Sequence, residues 1–278
     1  MPGVSRNRGA MPSSQRAVIH RSYALFCYTA FLAASAWGVM FLADWGPLPT
    51  VDSPRSGPAW WAVLVDVGLW LMFGLQHSVM ARTSTKRRLT RLVPAPLERS
   101  TYVLTTGLAL GLLFWQWRAL PAAIWQVDAQ PWAAGVWTVY GAGWAIAVAA
   151  TFMTDHREFL GLRQAGWFAG QRIPQLPGRS TTLNRRWLYA RVRHPMMAGL
   201  LLAFWATPEM TAGRLLFAVA GSAYIAVGVH FEERDLRRRY GAAYRQYTRE
   251  VPRFVPRLSG SPGRPGVPGR GPARAASR

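Results

Sequence analysis

Two short segments of this chain concentrate side chains that can bind ions or transfer protons. One carries Arg193 and His194 directly before an apolar run at residues 196–207. The other carries Glu232 and Glu233 directly after the next apolar run. The two segments therefore flank one hydrophobic hairpin and should meet at one membrane face. A guanidinium and an imidazole beside paired carboxylates suit the binding of a small zwitterionic or charged cofactor.

Three further residues are candidates for acid–base chemistry. Asp155 and His156 are adjacent at the end of a long apolar run, and a histidine beside a carboxylate is a common general base. His77 lies within another apolar run, where ionisable groups normally face the interior of a helix bundle. Each also has a structural interpretation. Asp155 and His156 can cap a helix at the membrane interface, and His77 can mark a contact between helices.

The apolar runs predict the elements that position these residues. Four runs have about the 20 residues that a membrane span requires, and they lie at residues 22–43, 59–80, 101–117 and 132–153. A fifth, at 196–207, covers only about 18 Å as a helix, so it is either a tilted half-span or part of a re-entrant hairpin. A sixth lies at 215–229. We expect an all-α, polytopic membrane bundle of about six spans.

The basic charge supports this topology rather than nucleic acid binding. The net charge of +21 is typical of a phosphate-binding surface. However, 30 of the 33 Lys and Arg residues fall in alternate loops and in the two terminal segments. By the positive-inside rule, both termini and the two long basic loops are cytoplasmic. We therefore expect membrane lipid as a partner, and no nucleic acid.

Composition divides the chain into three parts. Residues 1–19 are small, polar and basic, and predict a disordered cytoplasmic arm. Residues 20–257 form the membrane domain, which ends in an amphipathic interfacial helix at 232–249. Residues 258–278 are rich in Gly, Pro, Ser and Arg and predict a disordered tail. A single cysteine, Cys27, excludes an intramolecular disulfide.

Several motifs in order resemble the isoprenylcysteine carboxyl methyltransferase superfamily. They are Arg193-His194-Pro195, Glu232-Glu233-x-x-Leu236, Tyr240-Gly241-x-x-Tyr244-x-x-Tyr247 and Val251-Pro252-Arg253-Phe254-Val255-Pro256. Within that superfamily, four other segments are similar to the bacterial methanethiol S-methyltransferase family: Leu75-Gln76-His77-Ser78, Glu98 to Val103, Asp155-His156 with Gly161 to Gln164, and Ala203 to Pro208. Together the motifs cover about residues 60 to 257.

The resemblance implies a reaction, a cofactor and a location. It implies transfer of a methyl group from S-adenosylmethionine to methanethiol, giving dimethyl sulfide, at the cytoplasmic face of a bacterial inner membrane. By that likeness, the cofactor pocket comprises Tyr189, Arg193, His194, Pro195, Glu232 and Glu233, with Tyr244 and Tyr247 as lid residues. The candidate bases are His156 with Asp155, His77 and His194, and no metal site is predicted.

Two other functions remain open at this point. The same scaffold could methylate a different acceptor, such as an isoprenoid carboxylate, a phospholipid amine or a phenol. Alternatively, the chain could be a non-catalytic membrane protein similar to the accessory proteins of nitrite and nitric-oxide reduction. The Glu-Glu-x-x-Leu motif favours the enzyme. A membrane reductase that uses an Arg-His-Pro hairpin is disfavoured because the chain has no convincing glycine-rich dinucleotide turn.

Overall fold

A computed structural model of the chain describes residues 13–55, 57–168 and 186–257. These residues form nine α-helices: α1 (Ser13–Ala43), α2 (Ala59–Ala81), α3 (Thr83–Leu89), α4 (Glu98–Gln116), α5 (Trp132–Met153), α6 (His156–Phe159), α7 (Pro195–Trp205), α8 (Ala212–Tyr240) and α9 (Ala242–Glu250). The remaining elements are 3₁₀ helices at Ala95–Leu97 and Trp187–Ala190 and the strands β1 (Ala123–Gln126) and β2 (Glu209–Thr211). The chain is therefore almost entirely helical.

Four helical stretches are long and apolar enough to cross a membrane, judged by length and composition. They are α1, α2, α5 and the stretch Ala212–Glu250, which comprises α8 and α9. The 19-residue α4 packs against α1 and α2. The eleven residues of α7 rise only about 17 Å, as the short fifth run predicts. The prediction of an all-α, polytopic membrane bundle is confirmed, and the count of six crossings stays a prediction.

Small residues bring α5 and α7 into close contact. A Cβ added to Gly143 would lie 2.7 Å from the Gly199 carbonyl oxygen, and one added to Gly199 would lie 2.6 Å from the Ala147 nitrogen. Only glycine permits backbones to approach this closely within a membrane. The two helices are antiparallel, so the C-terminal end of α5 lies beside the beginning of α7.

The end of α8 differs from the sequence prediction. The interfacial helix was expected at 232–249, but α8 continues without a break from the apolar run to Tyr240. The break comes at Gly241, whose φ of +53° and ψ of −120° are unfavourable for other residues. The short α9 then buries Tyr244 and Tyr247. Glu233 therefore belongs to the long helix, where its position fixes the direction of its side chain.

The opposite end of α8 is fixed by a buried ion pair. Arg214 is 5% exposed, and its Nε donates to Asp52 Oδ2 at 2.6 Å. Its Nη1 donates to Thr207 Oγ1 at 2.7 Å and to the Leu42 carbonyl at 3.0 Å. Nearby, β1 and β2 form an antiparallel pair that the sequence analysis did not predict, because strands of four and three residues leave no periodic pattern. This end of the bundle is closed by polar contacts.

The expected terminal segments lie largely outside the described residues. This holds for residues 1–12 of the expected arm and for the whole of the expected tail, 258–278. α1 begins at Ser13, within the segment that was expected to form the arm. The described residues therefore cover most of the expected membrane domain, 20–257, together with residues 13–19 of the expected arm.

Candidate functional site

One buried carboxylate organises the region where α7 begins and α8 ends. Glu233 is 0% exposed, and its side chain is contacted by three arginines. Arg193 donates to Oε1 through Nη2 at 2.7 Å and through Nε at 3.1 Å. Arg253 donates to Oε2 at 2.9 Å and Arg237 donates to the same oxygen at 3.1 Å. A buried charge needs such partners, so the main role of Glu233 is to hold these three guanidinium groups in place.

The C-terminal segment is fastened to the turn before α7 through backbone contacts. The Arg193 amide donates to the Pro252 carbonyl at 2.9 Å, and the His194 amide donates to the Arg253 carbonyl at 3.1 Å. Arg193 Nη1 also donates to the Val251 carbonyl at 2.5 Å. The hydrogen bonds from Arg253 to Glu233 raise the pKa of that guanidinium further. The two motifs that the sequence separates by about 60 residues are therefore one structural unit.

His194 of this unit lies near two carboxylates that differ in their exposure. Its Nδ1 lies 3.5 Å from Glu232 Oε2 and its Nε2 lies 3.4 Å from Glu233 Oε1. The Glu232 side chain is 53% exposed, whereas that of Glu233 is 1% exposed. Burial raises the pKa of Tyr189 to about 12, and the charge of Glu232 adds to this shift. Glu232 is thus the carboxylate of the pair that can accept a ligand.

The two predicted lid tyrosines are both buried, but they differ in their contacts. The Tyr247 hydroxyl donates to the Tyr189 carbonyl at 2.6 Å, which fastens α9 to the short 3₁₀ helix. The Tyr244 hydroxyl has no hydrogen-bond partner among the described residues, although Tyr244 is 1% exposed. Pro195 is the first residue of α7, a position that proline favours. All eight predicted cofactor residues therefore lie at one end of the bundle.

A second group is built around His156. The Tyr28 hydroxyl lies 3.1 Å from Nε2, and the Thr151 hydroxyl lies 2.7 Å from Nδ1. Thr151 gives its single proton to the Val148 carbonyl at 2.7 Å, so it accepts from His156. Nδ1 therefore carries the imidazole proton, and Nε2 accepts from Tyr28. Phe152 stacks on the ring at 4.3 Å.

The structure contradicts the expected contact between Asp155 and His156. Asp155 has a φ of +66°, and its Oδ1 caps α6 by accepting from the Arg157 and Glu158 amides at 3.2 Å each. Its Oδ2 pairs with Arg163 Nη1 at 2.5 Å. Burial lowers the pKa of His156, and the charge of Asp155 opposes that shift only partly. Asp155 shapes the loop, whereas Tyr28 and Thr151 orient the imidazole.

Sequence reasoning missed Tyr28 and Thr151 because their contacts with His156 depend on the fold. Tyr28 is 128 positions away in the chain, and Thr151 precedes His156 by five residues across a break between two helices. The signal that the sequence offered was a polar residue near one end of each apolar run. Such residues are too common to single out a site.

His156 lines a cavity of about 670 Å³ beside the C-terminal end of α5. Its wall combines apolar, aromatic and charged side chains: Leu25, Tyr28, Phe152, Met153, Asp155, His156, Arg157, Leu162, Arg163, Trp167 and Phe168. This volume exceeds what a very small molecule needs and falls within the range of small-molecule sites. Within the described ranges, no group of three His, Cys, Asp or Glu side chains is placed to hold a metal ion.

His77 has a similar set of contacts in a different location. Its Nε2 lies 2.8 Å from the Tyr102 hydroxyl, and its Nδ1 lies 3.3 Å from the Thr106 hydroxyl. Phe73 stacks on the ring at 5.6 Å, and Tyr224 of α8 packs edge-on at 6.2 Å. The structure thus places His77 among three helices, α2, α4 and α8.

The residues around His156 and the unit formed by Arg193 and Glu233 lie at the same end of the bundle. In the antiparallel pair, Gly143 faces Ala203 and Ala147 faces Gly199. Continuing that register by one turn brings Thr151 level with the start of α7 at Pro195. The hydroxyl that contacts His156 is therefore at the same depth as the Arg193 and Glu233 unit.

Comparison with known proteins finds several of similar sequence. The chain is 44% identical to methanethiol S-methyltransferase 2 of Bradyrhizobium diazoefficiens over 239 residues, which cover 85% of this chain and 89% of that protein. It is 44% identical to methanethiol S-methyltransferase of Mycobacterium tuberculosis over 84% of this chain and 94% of that protein. A Pseudomonas methanethiol S-methyltransferase is 42% identical over 87% of this chain and 92% of that protein. No protein-family profile and no solved structure matches the chain.

Proposed function

This chain belongs to the methanethiol S-methyltransferase family, and we propose that it methylates methanethiol to dimethyl sulfide with S-adenosylmethionine as the methyl donor. The observation that carries the proposal is sequence identity above 40% along almost the full length of three such enzymes. The meeting of an ionic unit and a histidine-lined cavity at one end of the bundle supports it. We place that end at the cytoplasmic face of a bacterial inner membrane, with both termini cytoplasmic, because the basic loops lie there.

The ionic unit fits the amino-acid part of S-adenosylmethionine. Arg193, Arg237 and Arg253 surround the single buried carboxylate of Glu233, so positive charge is in excess. That excess attracts the cofactor carboxylate, while the half-exposed Glu232 attracts its ammonium group. The buried and unpaired Tyr244 hydroxyl is a further polar group that a ligand would satisfy. When bound, S-adenosylmethionine supplies a methyl group on a positively charged sulfur.

His156 is the base that we assign to the thiol. An unactivated thiol is mostly protonated near neutral pH, so the nucleophile must lose a proton. Burial lowers the pKa of His156, which keeps its Nε2 neutral and able to accept a proton at neutral pH. The Tyr28 hydroxyl donates to Nε2 at 3.1 Å, so Tyr28 can take the thiol proton as it passes its own to His156.

The location at the end of a membrane bundle provides the rest of the catalysis. Attack of a thiolate on a sulfonium neutralises charge, so it is favoured where water is excluded. The bundle also holds both reactants in one orientation, which replaces a bimolecular encounter by an intramolecular step. An apolar thiol dissolves in lipid, and the charged cofactor comes from the cytosol.

The direct test is headspace gas chromatography of membranes from cells that express the protein. Membranes given S-adenosylmethionine and methanethiol should release dimethyl sulfide, and the same membranes without S-adenosylmethionine should not. Cofactor binding without product would mean another acceptor, such as an isoprenoid carboxylate or a lipid. Absence of both would favour a non-catalytic accessory protein and would overturn the proposal.

The assignment of Glu232 has its own test with a matched control. Glu232→Gln removes the half-exposed carboxylate beside His194 and should weaken S-adenosylmethionine binding about 10-fold, measured by equilibrium dialysis. Asp235→Asn removes a carboxylate three residues away that is 78% exposed and pairs only loosely with Arg238 at 3.8 Å. Equal effects of the two substitutions would refute the assignment, because they would reflect general charge alone.

A further inference from the structure

A methionine sulfur at the cytoplasmic end of α2 accepts two hydrogen bonds from neighbouring side chains. Gln76 Nε2 lies 3.1 Å from Met80 Sδ, and Thr105 Oγ1 lies 3.2 Å from the same atom. Thioether sulfur is a weak acceptor that rarely attracts two donors. Gln76 and Thr105 are also joined to each other at 3.1 Å. These two residues therefore form a small polar surface directed at sulfur.

The hydrogen bonds of these two side chains leave one buried oxygen without a partner among the described residues and one proton shared among several acceptors. The Gln76 Oε1 atom is buried and has no hydrogen-bond partner among the described residues. The Thr105 hydroxyl has one proton, which it also offers to the Thr101 carbonyl at 3.1 Å and the Tyr102 carbonyl at 3.0 Å. An anionic sulfur would accept both donors more strongly than a neutral thioether does.

The location of Met80 connects this surface to the ionic unit. α2 and α8 run parallel, and a Cβ on Gly74 would lie 3.2 Å from the Tyr224 ring. Continuing that register puts Met80 level with His230. Glu233 lies three residues further along α8, about 4.5 Å deeper toward the cytoplasm.

The same surface shares a hydrophobic cluster with the tyrosine that contacts the base. Met80 and Tyr28 each pack against the buried cluster formed by Tyr102, Val103 and Leu160. The Tyr28 hydroxyl in turn contacts His156. The side chain whose sulfur Gln76 and Thr105 hold is therefore joined through one cluster to the residue that passes protons to the base.

We propose that Gln76 and Thr105 form the subsite that holds the sulfur of the methyl acceptor. This inference rests on the proposed function. The Met80 side chain fills the subsite in the ligand-free protein, because its CH₃–S–CH₂ group has nearly the shape of dimethyl sulfide. The acceptor enters as the Met80 side chain, with its several rotatable bonds, turns aside.

The chemical step at this subsite is balanced. The acceptor S–H bond breaks, and its proton passes through Tyr28 to His156 Nε2. The acceptor sulfur forms a bond to the methyl carbon as the bond from that carbon to the donor sulfonium breaks. The donor leaves as a neutral thioether, S-adenosylhomocysteine. Gln76 and Thr105 stabilise the negative charge on the acceptor sulfur before transfer.

Matched substitutions separate this role from simple contact between helices. Thr105→Val keeps the shape of the side chain and removes its donor, and Gln76→Leu does the same for the amide. Each should raise the KM for methanethiol about 10-fold and leave the KM for S-adenosylmethionine unchanged. Thr138→Val is the control, because the exposed Thr138 hydroxyl bonds only to the Ala134 carbonyl of its own helix at 2.8 Å.

Substitution of Met80 tests the occupancy of the subsite. Met80→Ala should raise the kcat/KM for 1-propanethiol relative to methanethiol by about 10-fold, because the vacated volume accepts a longer chain. Met80→Leu keeps the volume and should retain the preference for methanethiol.

Three results are decisive against the subsite. The first is an unchanged KM for methanethiol in both donor variants, and the second is an unchanged acceptor range in Met80→Ala. The third is a donor variant that loses thermal stability without a change in its KM for methanethiol. The last result would assign Gln76 and Thr105 to helix packing. Absence of dimethyl sulfide from the wild-type protein is a different failure, which would overturn the proposed function and this inference with it.

Discussion

Two histidines in this protein have nearly the same neighbours but different surroundings. His77 and His156 each have a tyrosine hydroxyl within hydrogen-bond distance of Nε2 and a threonine hydroxyl near Nδ1. Each also stacks on the phenylalanine four residues before it, Phe73 and Phe152 respectively. In α2 this stacking follows from the spacing, because four residues are close to one helical turn. Phe152 and His156 lie on two different helices, so their stacking depends on the turn at Asp155.

The difference lies in what borders the ring. His156 lines a cavity of about 670 Å³ together with charged side chains of its own loop. His77 lies among the helices, with Tyr224 on one side and the Tyr102 hydroxyl on the other. Similar hydrogen bonds thus orient both imidazoles. The ring of His156 borders a cavity, whereas the ring of His77 is packed between helices. Hydrogen bonding alone does not identify a base, and four experiments test whether access does.

The largest expected effect is on the rate of methyl transfer. His156→Ala should lower kcat by about 100-fold or more, since a positioned general base contributes at least that much. His77→Ala should lower kcat by less than about 5-fold by the same reasoning, because His77 takes no proton in the reaction. Dimethyl sulfide release from purified protein measures both rates. Equal losses in the two variants would remove the distinction between the histidines.

The second effect concerns the two tyrosines that contact these rings. Tyr28→Phe interrupts the proton path to His156 and should lower kcat about 10-fold, with the KM for S-adenosylmethionine unchanged. Tyr102→Phe removes the equivalent hydroxyl at His77 and should leave kcat nearly unchanged. The reverse order of effects would move the base to His77.

The third effect concerns stability, where the larger loss is expected for the His77 variant. His77→Ala leaves a cavity between three helices and an unpaired Tyr102 hydroxyl, so unfolding should become easier by about 1–3 kcal/mol. His156→Ala should cost less, because the ring already borders a cavity. Thermal unfolding in detergent, monitored by circular dichroism, compares the two variants. A larger loss in His156→Ala would contradict this assignment of roles.

The smallest effect is on pH dependence. Burial holds the pKa of His156 below its ordinary value of 6.5, while Asp155 opposes the shift. The neutral ring is favoured in the folded protein, so activity persists as pH falls below 6.5 and is lost only at the lowered pKa of the folded state. This part of the stability begins to decrease once the pH falls below about 6.5, where the unfolded chain takes up the proton first. Asp155→Asn keeps a helix-capping side chain but removes the charge, so the acid limb of the pH–rate profile should move to lower pH. A shift to higher pH would contradict the sign of the interaction.

The sequence was sufficient to predict the helices and the gathering of the ionic residues. The lengths of the apolar runs and the alternation of basic loops determine the bundle, and consecutive helices place Arg193 beside Glu233. What the sequence could not separate is Glu232 from Glu233. Adjacent residues on a helix point about 100° apart, so one carboxylate is enclosed by arginines and the other is half exposed.

The environment of His156 was less predictable. Adjacency in the chain favoured Asp155 as its partner, but the positive φ of Asp155 turns that carboxylate toward Arg163. The true partners come from α1 and from the end of α5, and no local pattern marks a contact between residues 28 and 156. Contacts made by tertiary packing of distant helices cannot be read from local periodicity.

The central claim is that a methyl group passes from S-adenosylmethionine to methanethiol beside His156. The most direct measurement supplies purified protein with S-adenosylmethionine carrying a deuterated methyl group and follows dimethyl sulfide by mass spectrometry. We expect the label in one methyl group of the product from the wild-type protein, at a rate reduced about 100-fold in His156→Ala. Unlabelled product, or labelled product formed equally fast by the variant, would contradict the account.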